Sequence, residues 1–194
     1  DCGGPRRNFF SEFAVQLPCE EPLLWRTTGK GSLEPTASVL SARVGNSAAL
    51  YRACGRVFGL AITNKCKLGR PIAHSFARLL VGDEPTNVQE LQAELNRESS
   101  ESAPDFRGSA ALLQQPLATS GLDDLLCFTR QVTYSGAEAD APPEVELTPG
   151  GGGTAVTDEN KEEWLTRLLH HKLVESLRPA AEAFREGMVD VLGG

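Results

Sequence analysis

Apolar residues recur at helical spacing over most of this chain, and only two stretches switch to a strand-like pattern. Phe9, Phe10, Phe13 and Leu17 share one side of a short helix that Pro18 stops. Further on, Leu50, Cys54, Val57, Phe58, Ala61 and Ile62 form one stripe of 3.6-residue period, the pattern of a buried central helix. Gly55 and Gly59 sit on a neighbouring face of it. A mid-helix glycine costs about 1 kcal/mol relative to alanine, so the pair points to close approach of another backbone. Pro71 suits the first turn of a helix that carries Ile72, Phe76, Leu79 and Leu80 and closes at Gly82. Thr86 and Gln89 fit a capping box ahead of Val88, Leu91 and Leu95.

A short helix is expected from Asp105, with Phe106, Ala110 and Leu113 aligned and Pro116 ending it. Near the end of the chain, Thr157 can cap a helix with Asp158 and Glu159 in its first turn, where the helix dipole favours them. Trp164, Leu165, Leu168, Leu169 and Leu173 form its apolar face. Ser176 can cap a last helix with Pro179 in its first turn and Ala183, Phe184, Met188 and Val191 inside. Between these helices, Leu23–Arg26 and Ser32–Leu33 around Gly29 and Gly31 read as a hairpin. Residues 125–134 and 144–147 read as a second strand pair, followed by a flexible break at Pro149–Gly153. The fold class is α+β, predominantly α-helical with small β-hairpins, and with a compact insertion between the central helix and the terminal pair.

Composition narrows the function classes. Apolar residues make up 40% of the 194 and charged residues 23%, the balance of a chain that can bury a sizeable core. The net charge of -7, with no linear basic run longer than Arg6-Arg7, argues against a dedicated nucleic-acid surface. No apolar run approaches the roughly 20 residues of a membrane span, so no membrane partner is expected. The five cysteines are widely spaced and show neither a zinc-ligand pattern nor a disulfide framework. Reduced thiols in a cytoplasmic or nuclear protein are the expectation, with no cofactor and no metal. Both ends are abrupt, which reads as a piece of a longer protein.

Candidate chemistry is sparse. A thiol nucleophile needs a base within hydrogen-bond reach, and only folding could bring Cys66 to His74 or Cys127 to His170. Gly150–Gly153 lacks the Lys-Ser/Thr that follows the glycines of a phosphate loop. Asp123-Asp124 and Glu162-Glu163 are sequence neighbours, so their side chains diverge, and they read as solvated charges. What remains is apolar surface: Phe106, Ala110 and Leu113 on one helix face, Trp164 and Leu168 on another. Spacing alone allows these to be core or a groove for a partner's loop.

At this point an ordered set of motifs resembles one family. Asp1-Cys2-Gly3-Gly4, Arg7, Phe9 and Phe10 resemble the "D-x-G-G" and paired aromatics of the HECT-type ubiquitin ligases. Residues 56–62 and 76–82 look like two of that domain's helices. Residues 145–151 followed by 156–161 are similar to "V-E-L-x-P-x-G … V-T-N-E-N-K", with Asp158 for the usual asparagine. The resemblance covers nearly the whole chain in the family's order.

It implies the amino-terminal lobe of a HECT domain, with a large helical subdomain and a small inserted one. Residues 1–82 would open the large subdomain, 83–153 would form the small one, and 154–194 would return to the large one. Such a lobe docks a ubiquitin-conjugating enzyme, which passes ubiquitin to a cysteine in the carboxy-terminal HECT lobe and from there to a substrate lysine. No cysteine here matches that acceptor, so no catalytic residue is assigned. The matching conjugating-enzyme positions are Phe106, Ala110, Leu113, Leu126, Trp164 and Leu168. Ala110 is smaller than the family's usual leucine and Pro116 shortens the helix, which implies a shallower or more selective groove. An inactive helical scaffold and a Cys/His hydrolase are the alternative readings.

Overall fold

The computed structural model describes residues 4–19, 24–98, 116–117, 126–131 and 144–193. Helix α1 (Gly4–Gln16) ends in a 3-10 turn, Leu17–Cys19. Strands β1 (Trp25–Thr27) and β2 (Leu33–Pro35) form an antiparallel hairpin with Trp25 opposite Pro35. Four helices follow: α2 (Ser38–Ser41), α3 (Ser47–Thr63), α4 (His74–Val81) and α5 (Val88–Glu98). A second antiparallel pair joins β3 (Thr129–Gln131) to β4 (Glu144–Glu146), and α6 (Lys161–His170) and α7 (Arg178–Leu192) complete the described elements. The α+β class read from the pattern is the one found, helices with two small hairpins. The short helix expected from Asp105 lies outside the described residues.

The centre of the molecule is the contact of α3 with α7. A Cβ placed on Gly55 would meet the Phe184 carbonyl oxygen at 2.0 Å, and one on Gly187 would meet the Arg52 carbonyl oxygen at 1.9 Å. Gly55 faces Phe184 and Met188 while Gly59 faces Met188 and Val191, so the two helices run in the same direction with their backbones touching. Only glycine permits this. At one edge Arg52 grips Asp190 with two hydrogen bonds of 2.9 Å, and Arg56 adds a third of 2.8 Å. These guanidiniums, Arg52 first, hold the Asp190 carboxyl down at about 2.

An aromatic cluster fills the space beside that crossing. Trp25 lies flat against Phe58, with ring centres 6.4 Å apart, and meets the edges of Tyr51, Phe76 and Phe184 at 5.6 to 5.7 Å. The Tyr51 hydroxyl donates to the Leu24 carbonyl at 2.7 Å, which ties the hairpin to α3. Burying one large apolar side chain stabilises a fold by roughly 1.5–3 kcal/mol, so this cluster anchors β1, α3, α4 and α7 together. The apolar stripe of α3 is turned from its expected orientation. Cys54, Phe58 and Ala61 are buried, but Leu50 and Ile62 are exposed, because the glycine face turns toward α7. On α1, likewise, Phe10 and Ala14 are buried while Phe9 is 54% exposed.

Several helix starts differ from expectation. Pro71 and Ile72 precede α4 rather than open it, since the Leu33 amide donates to the Pro71 carbonyl and Ala73 donates back to Leu33. That extended pairing excludes helical dihedrals there. Gly82 ends α4 in the left-handed conformation, as expected. Ahead of α5 the cap is Asn87, not Thr86: its side-chain Oδ1 accepts the Glu90 amide at 2.9 Å, and the Glu90 carboxylate reaches back to accept the Thr86 amide at 3.4 Å. Helix α6 starts at Lys161 because the Asn160 side chain accepts the Thr157 amide at 2.7 Å, holding residues 157–160 as a turn. Glu162 and Glu163, rather than Asp158 and Glu159, then face the dipole. The Ser176 hydroxyl does not cap α7. It donates to the Lys172 carbonyl, inside the π-helical segment His171–Glu175 that continues α6. Pro179 does occupy the first turn of α7.

Candidate functional site

Helix α6 presents Trp164, Leu165, Leu168 and Leu169 to the interior, with Trp164 and Leu168 each 6% exposed. The Trp164 indole Nε1 donates to the Cys127 carbonyl at 3.0 Å. A buried indole N–H usually finds such a partner, and this one joins α6 to the segment Leu126–Phe128. That segment is itself held by Val156, whose amide donates to the Leu126 carbonyl at 2.8 Å, and by the bridge of Cys127 to Ala155. Leu126 is half-buried against the core. Of the six positions singled out in the sequence, the structure therefore brings Leu126, Trp164 and Leu168 into one neighbourhood. Phe106, Ala110 and Leu113 lie outside the described residues.

The turns around this neighbourhood are tied by carboxylates. Asp158 accepts the Leu117 amide at 3.1 Å and the Lys161 ammonium at 2.7 Å; Lys161 first, then that amide, lowers its affinity for a proton. Glu146 accepts the amides of Gly150 at 3.0 Å and Gly152 at 3.3 Å. The glycine run is thus a 3-10 turn, Gly151–Gly153, capped by its own strand's carboxylate rather than a loose break. Gly151 is required there, since a Cβ would fall 2.4 Å from the Phe128 carbonyl oxygen.

On the outer face of α6 lies an open cleft of about 590 Å³, lined by Leu147, Glu162, Glu163, Thr166, Arg167, His170 and Glu175. Glu163 pairs with Arg167 at 2.9 Å and Glu175 with His170 at 3.1 Å. Sequence reading treated the glutamates as solvated charges and missed this concavity. It is built by Leu147 and Glu175 from elsewhere in the chain, and no local signal marks it.

Beside it, Arg130 donates to His171 Nδ1 at 3.0 Å, the tautomer being the one that leaves this nitrogen free to accept. Burial, then Arg26, pulls the Arg130 guanidinium down to about 10; burial, then Arg130, lowers His171. A third charged group, Glu94, is 3% exposed and takes His74 at 2.7 Å and Arg78 at 3.1 Å, a pairing that satisfies a buried carboxylate.

The two Cys/His pairs considered above gain no support. The Cys66 thiol donates to the Asn64 carbonyl, His74 faces Glu94, and His170 faces Glu175. Among the described residues neither the Cys66 nor the Cys127 thiol is hydrogen-bonded to a histidine. Burial pushes the Cys54 thiol up to about 11, which leaves it unreactive.

The described residues form a mostly helical platform with an apolar neighbourhood centred on Trp164. The chain belongs to the HECT-domain (ubiquitin-transferase) family, whose model matches residues 13–194. It is 27% identical to human (Homo sapiens) E3 ubiquitin-protein ligase HECW1 over 196 aligned positions, which cover 99% of this chain and 11% of that protein. It is 26% identical to the bovine (Bos taurus) E3 ubiquitin-protein ligase HACE1 over 137 positions, 71% of this chain and 14% of that one. To mouse (Mus musculus) HUWE1, likewise an E3 ubiquitin-protein ligase, it is 24% identical over 193 positions, 99% of this chain and 4% of that protein. The chain thus spans about a tenth of the length of the first of these relatives.

Proposed function

We propose that this chain is the amino-terminal lobe of a HECT ubiquitin ligase and that it docks a ubiquitin-conjugating enzyme in the cytoplasm. Residues 83–153 form the docking subdomain, and residues 1–82 with 154–194 form the body that carries it. What supports this reading is the family match over nearly the whole chain, together with the hydrogen bond that holds Trp164 against the segment carrying Leu126. Ubiquitin passes from the docked enzyme to a cysteine in the carboxy-terminal HECT lobe, then to a substrate lysine. The segment alone takes no covalent part, so its work is positioning: it holds the donor thioester where the acceptor lobe can reach it.

The depth of Trp164 sets the character of the site. An indole 6% exposed and hydrogen-bonded inward offers an edge rather than a protruding anchor. The partner's loop residue therefore rests on a rim shared with Leu126, and affinity is modest, as suits an enzyme that must leave after each transfer. Titration of the 15N-labelled chain with uncharged conjugating enzyme tests this. Signals of Leu126, Trp164 and neighbouring amides should shift, and Leu126→Asp should weaken binding at least tenfold with the fold intact by circular dichroism. Wild-type affinity in that variant, for every conjugating enzyme in a panel, would remove the docking assignment.

A further inference from the structure

The chain is acidic, yet three separated stretches converge on a face without a single carboxylate of their own. Residues 4–11, 27–33 and 57–73 hold six of the 19 Lys and Arg residues and none of the 26 Asp and Glu residues. The structure brings them together at α1. Arg6 donates to Asn64 at 2.8 Å, at the carboxy end of α3. Farther along α1, Ser11 and Val15 crowd Gly69, where a Cβ would meet the Ser11 carbonyl oxygen at 2.4 Å. Arg70 then reaches across to the Gly31 carbonyl in the turn of the first hairpin, next to Lys30. Lys65, held at φ 52°, and Lys67 are exposed in the intervening turn, and Arg7 is exposed one residue along from Arg6. Among the described residues none of the six has a carboxylate within salt-bridge distance, whereas Arg52, Arg56, Arg78 and Arg178 all do.

Two apolar side chains stand among these cations. Phe13 meets Phe58 edge-on at 6.4 Å. Phe9 and Ile62 each lie one turn nearer the Arg6–Asn64 contact, and they are 54% and 55% exposed. Glu12, the described carboxylate of α1, lies one turn from Phe9 on the exposed side of the helix, so the cations around it outnumber it six to one.

We infer that this face is a peripheral docking surface for anionic lipid headgroups, with Arg6, Arg7, Lys30, Lys65, Lys67 and Arg70 supplying charge and Phe9 the apolar insertion. Charge complementarity commits it to a polyanion. The two-dimensional spread of the cations over three elements favours a fluid headgroup layer over an extended acidic peptide, which would need a groove and a register. Each Lys or Arg near such a surface changes binding about fivefold, and an exposed aromatic ring settles at headgroup level. The inference does not rest on the docking of a conjugating enzyme, because no residue of that site takes part. The expectation of no membrane partner rested on a linear reading of charge and hydropathy, and no helix among the described residues is long and apolar enough to cross a membrane; the surface inferred here is peripheral.

Sedimentation of the 194-residue chain with vesicles tests it, using phosphatidylcholine alone and phosphatidylcholine with phosphatidylserine at roughly 7:3. The chain should pellet with the anionic vesicles only, and less so in high salt. Arg6→Glu with Lys65→Glu and Lys67→Glu should cut the partition coefficient by at least about a hundredfold, and Phe9→Ser should cut it severalfold, with thermal melts confirming the fold. Should the triple variant melt early, Arg7→Glu with Lys30→Glu serves the same purpose on exposed side chains. Equal pelleting with both vesicle types would overturn the proposal, as would unchanged binding by folded charge-reversal variants. So would capture by polyglutamate without vesicle binding, which would assign the face to an acidic polypeptide.

Discussion

Replacing Gly187 by alanine separates the tertiary logic of this fold from its local propensities. In an isolated helix the change stabilises by about 1 kcal/mol, because alanine is the better helix former. Here the new methyl would sit 1.9 Å from the Arg52 carbonyl oxygen, 2.8 Å from its carbon and 3.0 Å from the Arg56 amide nitrogen. All three are backbone atoms of α3, and no side-chain rotation relieves them. An ordinary contact needs at least 3.4 Å, so α7 must retreat by more than an ångström. The retreat loosens Phe184 from Phe58, whose ring centres are now 5.0 Å apart, and strains the clasp of Arg52 and Arg56 on Asp190. Overpacking of this kind costs about 1–3 kcal/mol, sometimes more. We expect a net loss of about 2 kcal/mol or greater, seen as a fall in melting temperature of roughly 4–8 °C for a chain of this size. Gly55→Ala makes the reciprocal clash, and the double variant should cost less than the sum, because one displacement relieves both. Gly45→Ala, with open space around it, is the control and should be nearly neutral. A Gly187→Ala protein as stable as wild type, measured by urea titration, would refute the close-approach argument.

Other consequences are quickly checked. Asn87→Ala should destabilise by about 1 kcal/mol by freeing the Glu90 amide, whereas Thr86→Ala should cost a few tenths. The comparison of urea midpoints tests where the cap lies. His171 is held below its ordinary value near 6.5, so on acidification the unfolded chain takes up its proton first. Stability is at its full value above about pH 6.5 and declines as the pH falls through the lowered folded-state value. His171→Gln should flatten that part of the stability profile; an unchanged slope would mean that another group sets it.

The helices were legible because a 3.6-residue stripe survives whatever it packs against. The position of Trp164 on such a stripe was readable for the same reason. Its depth was not, because the partner of its indole is a backbone carbonyl 37 residues away, which carries no side-chain signature. Leu50 and Ile62 show the converse error: both belong to the apolar stripe of α3, yet the bare glycine face is what meets α7, leaving them in solvent. The cap positions slipped because Asn87 and Asn160 competed with nearby threonines, and an amide side chain accepts a backbone N–H as well as a hydroxyl does. The outer cleft of α6 and the basic face at α1 are assembled from distant stretches. Composition averages them away: an overall charge of -7 conceals six cations with no carboxylate in the stretches that bear them.

The function proposed above is that this polypeptide positions the donor and does not itself accept ubiquitin. It is tested most directly by mixing the chain with activating enzyme, a conjugating enzyme that it binds, ubiquitin and ATP, then resolving the products with and without reductant. The account expects binding of the charged conjugating enzyme in the titration and no ubiquitin on any of the five cysteines in the gel. A ubiquitin adduct on this chain that reductant removes would contradict it.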